Sequence, residues 1–188
     1  MDALQSEPAA AAPRRLHPAV VLTAFAVLIG FLGLIAWGLT RSMSGPIQKG
    51  DKVPDIQMVT FDGKVVHTTD YAGKVIVLNF WASWCKPCEQ EAADLESAYQ
   101  NFKSSGDVVF LGLAYVDTEP RSLEYLQKFG ITYPNGPDLR TSVSQMFRIR
   151  GVPETYVIDP DGKLAFSQIG PFGSSAEIVS IIQPLIRK

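Results

Sequence analysis

The sequence predicts an α/β domain, a three-layer sandwich around a mixed sheet, preceded by one transmembrane helix. Three observations carry this expectation. Residues 18–39 (PAVVLTAFAVLIGFLGLIAWGL) form a run of 22 residues without a charge. Beyond it, short apolar, β-branched runs alternate with segments of helical period. Two of the turns between short strands are Asp62-Gly63 and Pro160-Asp161-Gly162, both favoured hairpin chemistry.

The apolar run comes first. As a helix it spans roughly 33 Å at about 1.5 Å per residue, enough for a hydrocarbon core of about 30 Å. We place the anchor at 18–40, with Trp37 near one interface. It exceeds the about 7–15 residues of a signal-peptide apolar region, yet Ala36 and Gly38 offer a small-x-small pattern, so cleavage stays an alternative. A buried core helix of this length would carry a polar stripe, and none is present. Arg14 and Arg15 precede the run and Arg41 follows it. That bias favours a short cytoplasmic tail, 1–17, and an exported C-terminal domain. Residues 41–50 (RSMSGPIQKG) have linker composition.

Residues 51–188 are sufficient for one domain with its own core. They hold 13 Lys+Arg and 17 Asp+Glu, a formal charge of −4. The whole chain is 46% hydrophobic with a net charge of −2, which excludes a disordered protein. Nothing strongly basic is offered to phosphates, so no nucleic-acid partner is expected. Two cysteines and two histidines exclude a disulfide-stapled mini-protein and a zinc domain of several Cys/His ligands. No metal or cofactor is expected.

The elements follow in order. Residues 56–61 and 64–67 form a hairpin. Residues 74–81 (KVIVLNFW) suit a central strand buried on both faces. Residues 87–104 read as a helix with Leu95, Tyr99 and Phe102 at i, i+4, i+7. Residues 107–115 (DVVFLGLAY) are a second buried strand, followed by helices over 120–130 and 141–147. A second hairpin covers 155–159 and 163–169. A terminal helix runs over 174–186, with Ser174 or Ser175 as N-cap.

The chemistry concentrates at Trp84-Cys85-Lys86-Pro87-Cys88. A strand ends near Trp81 and a helix begins after Cys85, so the first cysteine meets unpaired N–H groups and the positive dipole end. Both favour a thiolate, the nucleophilic form. Cys88 lies one turn on, placed to attack a mixed disulfide at Cys85. Pro87 fits the first helical turn, and Lys86 adds positive charge nearby. As a structural staple the pair would close a tiny loop and constrain little of the unfolded chain. As a metal site it lacks two ligands, since the domain's one histidine, His67, lies at the end of the first hairpin.

Glu91 lies three residues after Cys88 and four before Leu95, on the apolar face of the helix. Burial there raises its pKa and lets it exchange protons with the second thiol; the alternative is a charge that reaches solvent. Val152-Pro153 opens an apolar strand. It is a candidate cis peptide and a strand edge for an extended substrate, or an ordinary strand-initiating proline.

Residues 79–88 (NFWASWCKPC) resemble the active site of thioredoxin-like proteins. The similarity is closest to the membrane-anchored, extracytoplasmic class of cytochrome c maturation, the DsbE/ResA/TlpA group. It covers nearly all of 51–186, including 111–115 (LGLAY) and 151–155 (GVPET). The resemblance implies a thioredoxin fold with an extra N-terminal β-hairpin at 56–67 and an insertion over 118–135. It implies Cys85 as nucleophile, Cys88 as resolving thiol and Glu91 as the acidic residue beside them. Pro153 would be the cis proline facing the disulfide, with Trp84, Lys86 and Pro87 in support. Val152 would offer backbone bonds to substrate, and Glu154, which resembles the DsbE branch, would also contact it. Lys86 stands at a position where members vary.

The function implied is that of an extracytoplasmic thiol:disulfide reductase held in the inner membrane. Its client would be the Cys-x-x-Cys-His disulfide of apocytochrome c or a cytochrome c maturation protein. Its electrons would come from a DsbD/CcdA-type membrane carrier. The alternatives are a general reductase for clients such as copper-site assembly proteins, and a copper chaperone.

Overall fold

The computed structural model describes residues 18–42 and 45–186, in two compact units that part at residue 44. The expected tail, 1–17, lies outside the described residues. The first unit is α1 (Pro18–Ser42). Its stretch Pro18–Gly38 has a mean hydropathy of 2.7 and is long and apolar enough to cross a membrane.

The second unit begins at Gly45 with a hairpin of β1 (Gln57–Val59) and β2 (Val65–His67), antiparallel, turning at Gly63 with φ +81°. Then come β3 (Val75–Trp81), α2 (Lys86–Lys103), β4 (Val108–Ala114), α3 (Glu119–Lys128) and β5 (Asn135–Pro137). The chain continues through α4 (Ser142–Phe147), β6 (Glu154–Ile158), β7 (Leu164–Ile169) and α5 (Ser175–Ile182). The five-stranded sheet has the order β5-β4-β3-β6-β7. β4 is parallel to β3 and to β5, whereas β6 is antiparallel to both β3 and β7.

All seven residues of β3 are buried, because the strand has a neighbour on each side and packed layers on each face. Alternation sends Ile76, Leu78 and Phe80 to one face, with Val143 and Phe147 of α4 and Tyr156 of β6. Val75 and Val77 turn to the other, with Leu95 and Phe102 of α2 and Ile178 and Ile182 of α5. A third cluster closes the C-terminal end of β3: Trp81, Ala82, Cys85, Cys88, Ala92, Ala114 and Tyr125.

The structure departs from the sequence expectation in three places. No strand is expected at β5: the resemblance places an insertion over 118–135, and Asn-Gly-Pro has none of the residues strands favour. Parallel pairing with β4 makes it a strand, Gly112 N donating to Pro134 O at 2.9 Å and Asp138 N to Ala114 O at 3.0 Å, and the first hairpin docks against it. Phe61 N donates to Asn135 O at 2.8 Å, and a Cβ on Gly136 would stand 2.1 Å from Val59 O. The last helix stops at Ile182 and passes into a 3-10 turn, Gln183–Leu185, as Pro184 cannot donate to it. The expected linker is partly in the domain: Ile47 packs on the first core face, and Gly50 N donates to Leu164 O at 2.8 Å.

Candidate active site

α2 begins immediately after β3, and Cys85 is its N-cap, with extended φ/ψ of −88° and 106°. The cap atom is the sulfur: Cys88 N donates to Cys85 Sγ at 3.1 Å. Sulfur therefore stands where a Ser or Asp oxygen caps other helices, and negative charge developing there meets an oriented N–H. Pro87 occupies the first turn without costing a bond. Cys85 and Cys88 are joined at an S–S distance of 2.06 Å, so this is the oxidised state. Both residues are buried, Cys85 at 4% and Cys88 at 1% exposure.

The loop before the pair is held from the connection between β4 and α3. Ser83 donates through its N and Oγ to the Asp117 carboxylate at 2.6 and 2.9 Å. Trp84 Nε1 donates to Val116 O at 3.1 Å, while the Trp84 ring stays 54% exposed beside the pair. Beneath them Trp81 stacks on Tyr125 with centroids 4.5 Å apart, and its Nε1 donates to Asn135 Oδ1 at 2.8 Å. Gly112 makes this last bond possible, since a Cβ there would stand 1.8 Å from Asn135 Oδ1.

Glu91 is buried on α2, one turn beyond Cys88. Oε1 accepts from Asn79 Nδ2 at 2.9 Å and Oε2 from Phe172 N at 3.0 Å. Burial pushes its pKa up to about 7, the two hydrogen bonds hold it down in part, and the Asp94 charge adds to the rise. A carboxylate poised near neutral pH is suited to exchanging protons with a thiol.

The Val152-Pro153 bond is cis. The Val152 carbonyl oxygen lies 3.4 Å from Cys85 Sγ, so this loop faces the reactive sulfur. Glu154 does not match the expectation of a substrate contact. Its side chain is 1% exposed and turned inward, where it accepts from Arg150 N at 2.7 Å and Tyr156 OH at 2.5 Å. It fastens the loop to the sheet. Lys86 extends into solvent with its Nζ 3.2 Å from both Glu89 oxygens, so its charge is directed to that carboxylate. His67 pairs with Asp55 at 2.9 Å, and the described residues contain no metal-binding group of His, Cys, Asp and Glu.

Sequence reasoning missed Asn79, Thr155, Ser83 with Asp117, and Tyr125. One of them left a signal: Asn79 is a lone polar residue inside the apolar run of β3.

The sequence profile of the AhpC/TSA family matches residues 49–167, the stretch that carries the sheet, the cysteines and the cis proline. The chain belongs to the AhpC/TSA family. Within it, the chain is 28% identical over 144 residues to thiol-disulfide oxidoreductase ResA of Bacillus cereus, covering 77% of this chain and 83% of that one. To the ResA of Bacillus subtilis it is 26% identical over 160 residues, covering 84% and 89%. A solved thiol:disulfide interchange protein of the thioredoxin family from Chlorobium tepidum superposes with a TM-score of 0.64 at 28% identity, covering 73% and 97%. This AhpC/TSA member has a thioredoxin fold, and its chemistry is thiol–disulfide interchange.

Proposed function

We propose that the protein is a membrane-tethered reductase of client disulfides, working on the extracytoplasmic side in cytochrome c maturation. The observation that carries this reading is the capped Cys85 sulfur beside the Val152-Pro153 loop, with a buried, near-neutral acid one turn beyond Cys88. The ResA relatives support it, as does the uncharged stretch Pro18–Gly38 of α1, which is apolar enough to suit lipid better than water.

In the reduced protein the Cys85 thiolate attacks a client disulfide, forming a mixed disulfide and releasing one client thiol. The Cys88 thiolate then attacks Cys85 Sγ, releasing the second client thiol and leaving the Cys85–Cys88 bond seen here. Two electrons have passed to the client. Glu91 takes up the Cys88 proton as that thiol becomes a nucleophile. A dithiol carrier in the membrane, of DsbD/CcdA type, returns the pair to the reduced state. The client we favour is the Cys-x-x-Cys-His disulfide of apocytochrome c.

A Cys88→Ala variant of the full chain tests this in cells. It cannot resolve the mixed disulfide, so an apocytochrome c should be captured on Cys85 and released by a reductant. Capture of copper-site assembly proteins alone, with c-type cytochromes intact in a deletion strain, would overturn the client assignment.

A further inference from the structure

Asn79 sits in the centre of the sheet, 2% exposed, where strands disfavour asparagine and an unpaired amide is costly. Its Nδ2 spends both hydrogens at 2.9 Å, one on Glu91 Oε1 and one on Thr155 Oγ1. The three residues come from α2, β3 and β6, and Asn79 and Thr155 are direct partners across the antiparallel ladder. Thr155 is fully buried and follows Pro153 by two positions. With Phe172 N on the other oxygen, the Glu91 carboxylate is gripped from two sides.

We propose that Asn79 is a positioning residue for thiol–disulfide interchange, holding the Glu91 carboxylate in one orientation, and that Thr155 aligns the Asn79 amide that does so. The proposal rests on the reading that Glu91 exchanges a proton with Cys88.

The electrostatics give the direction of the effect. An N–H donated to a carboxylate favours its ionised form. Among the described residues Asn79 is the side-chain donor to Glu91, and Phe172 contributes a backbone N–H from the β7–α5 connection. Asp94, on the same helix, opposes ionisation. Tyr125 on α3 and Tyr133 before β5 feel the Glu91 charge, but burial raises both, so they stay neutral where Glu91 titrates. Cys88 is the remaining titratable neighbour on α2 once the disulfide opens. Removing Asn79 therefore leaves Glu91 harder to ionise.

The test is a carbon-13 carboxyl NMR titration of the full chain in detergent micelles, with the Glu91 signal assigned by its loss in Glu91→Gln. Asn79→Ala should raise the Glu91 midpoint by about one unit, the scale of one hydrogen bond to a charged group. Thr155→Val, close in shape but without the hydroxyl, should raise it by less, and Thr155→Ser should restore the wild-type value. The double variant should shift no further than Asn79→Ala alone, because Thr155 acts through Asn79. An unmoved midpoint in folded Asn79→Ala or Thr155→Val overturns the proposal. Should Asn79→Ala fail to fold, Thr155→Val against Thr155→Ser decides it. The exchange rate of Glu91→Gln tests the underlying reading separately. A wild-type rate there removes the role of Glu91, whatever the midpoints do.

Discussion

Two carboxylates are buried to the same degree on opposite faces of the central sheet, and they do different things. Glu91 reaches in from α2 on the face of Val75 and Val77; Glu154 lies opposite Phe80, on the face of Phe147 and Tyr156. Each is 1% exposed and each accepts two hydrogen bonds. The Glu154 donors are local, Arg150 N and Tyr156 OH, and their effect is to fasten the loop that carries Val152-Pro153. The Glu91 donors come from two distant segments and hold it one turn from Cys88. Burial alone does not suit a carboxylate to the proton exchange proposed for Glu91. What separates the two is the neighbour each is held against.

The largest effect that sharpens this contrast is on stability against pH. The Glu91 pKa is raised from 4.5 to about 7 in the fold, so between those values the folded state retains a proton that the unfolded chain has lost. Stability then falls as pH rises from about 4.5 to about 7, by an amount on the order of 3 kcal/mol for a 2.5-unit shift. Glu91→Gln should remove that slope in denaturant unfolding of the oxidised protein, and should slow exchange and erase the inflection near pH 7. A wild-type slope in the variant would mean that a group other than Glu91 sets it.

Next in size is Glu154→Gln. The amide cannot accept from both donors at once, and the loss should be about 1–2 kcal/mol of stability. Exchange should slow while the pH–rate profile keeps its shape, since the loop loosens but the acid stays. A displaced inflection would mean that the two carboxylates are coupled. The smallest effect is that of Lys86→Ala. Water screens an exposed ion pair, so the exchange rate should change less than about twofold. A tenfold loss would show that the ammonium serves the thiolate more than it serves Glu89.

Local chemistry was legible in the sequence, and long-range pairing was not. The strand–Cys-x-x-Cys–helix order and the placing of Glu91 beside Leu95 need only the helical repeat. Both cores follow from the alternation in β3. The inward direction of Glu154 was not legible because it is set by register against Phe80, 74 positions earlier in the chain. Asn79 finds Thr155 76 residues away, and Ser83 finds Asp117 across 34; no local period announces either. β5 exists because residues 135–137 pair with β4, some 20 positions earlier, and Gly136 leaves room for the hairpin backbone against it, neither of which strand propensity announces.

The central claim is that this pair gives electrons to clients. The reduction potential of Cys85–Cys88, measured on the purified full chain against a glutathione or dithiothreitol buffer, tests it most directly. The account predicts a value on the reducing side, about −200 to −270 mV, in the range of glutaredoxins and thioredoxin. A value near about −120 mV, that of a strong disulfide donor, would contradict it.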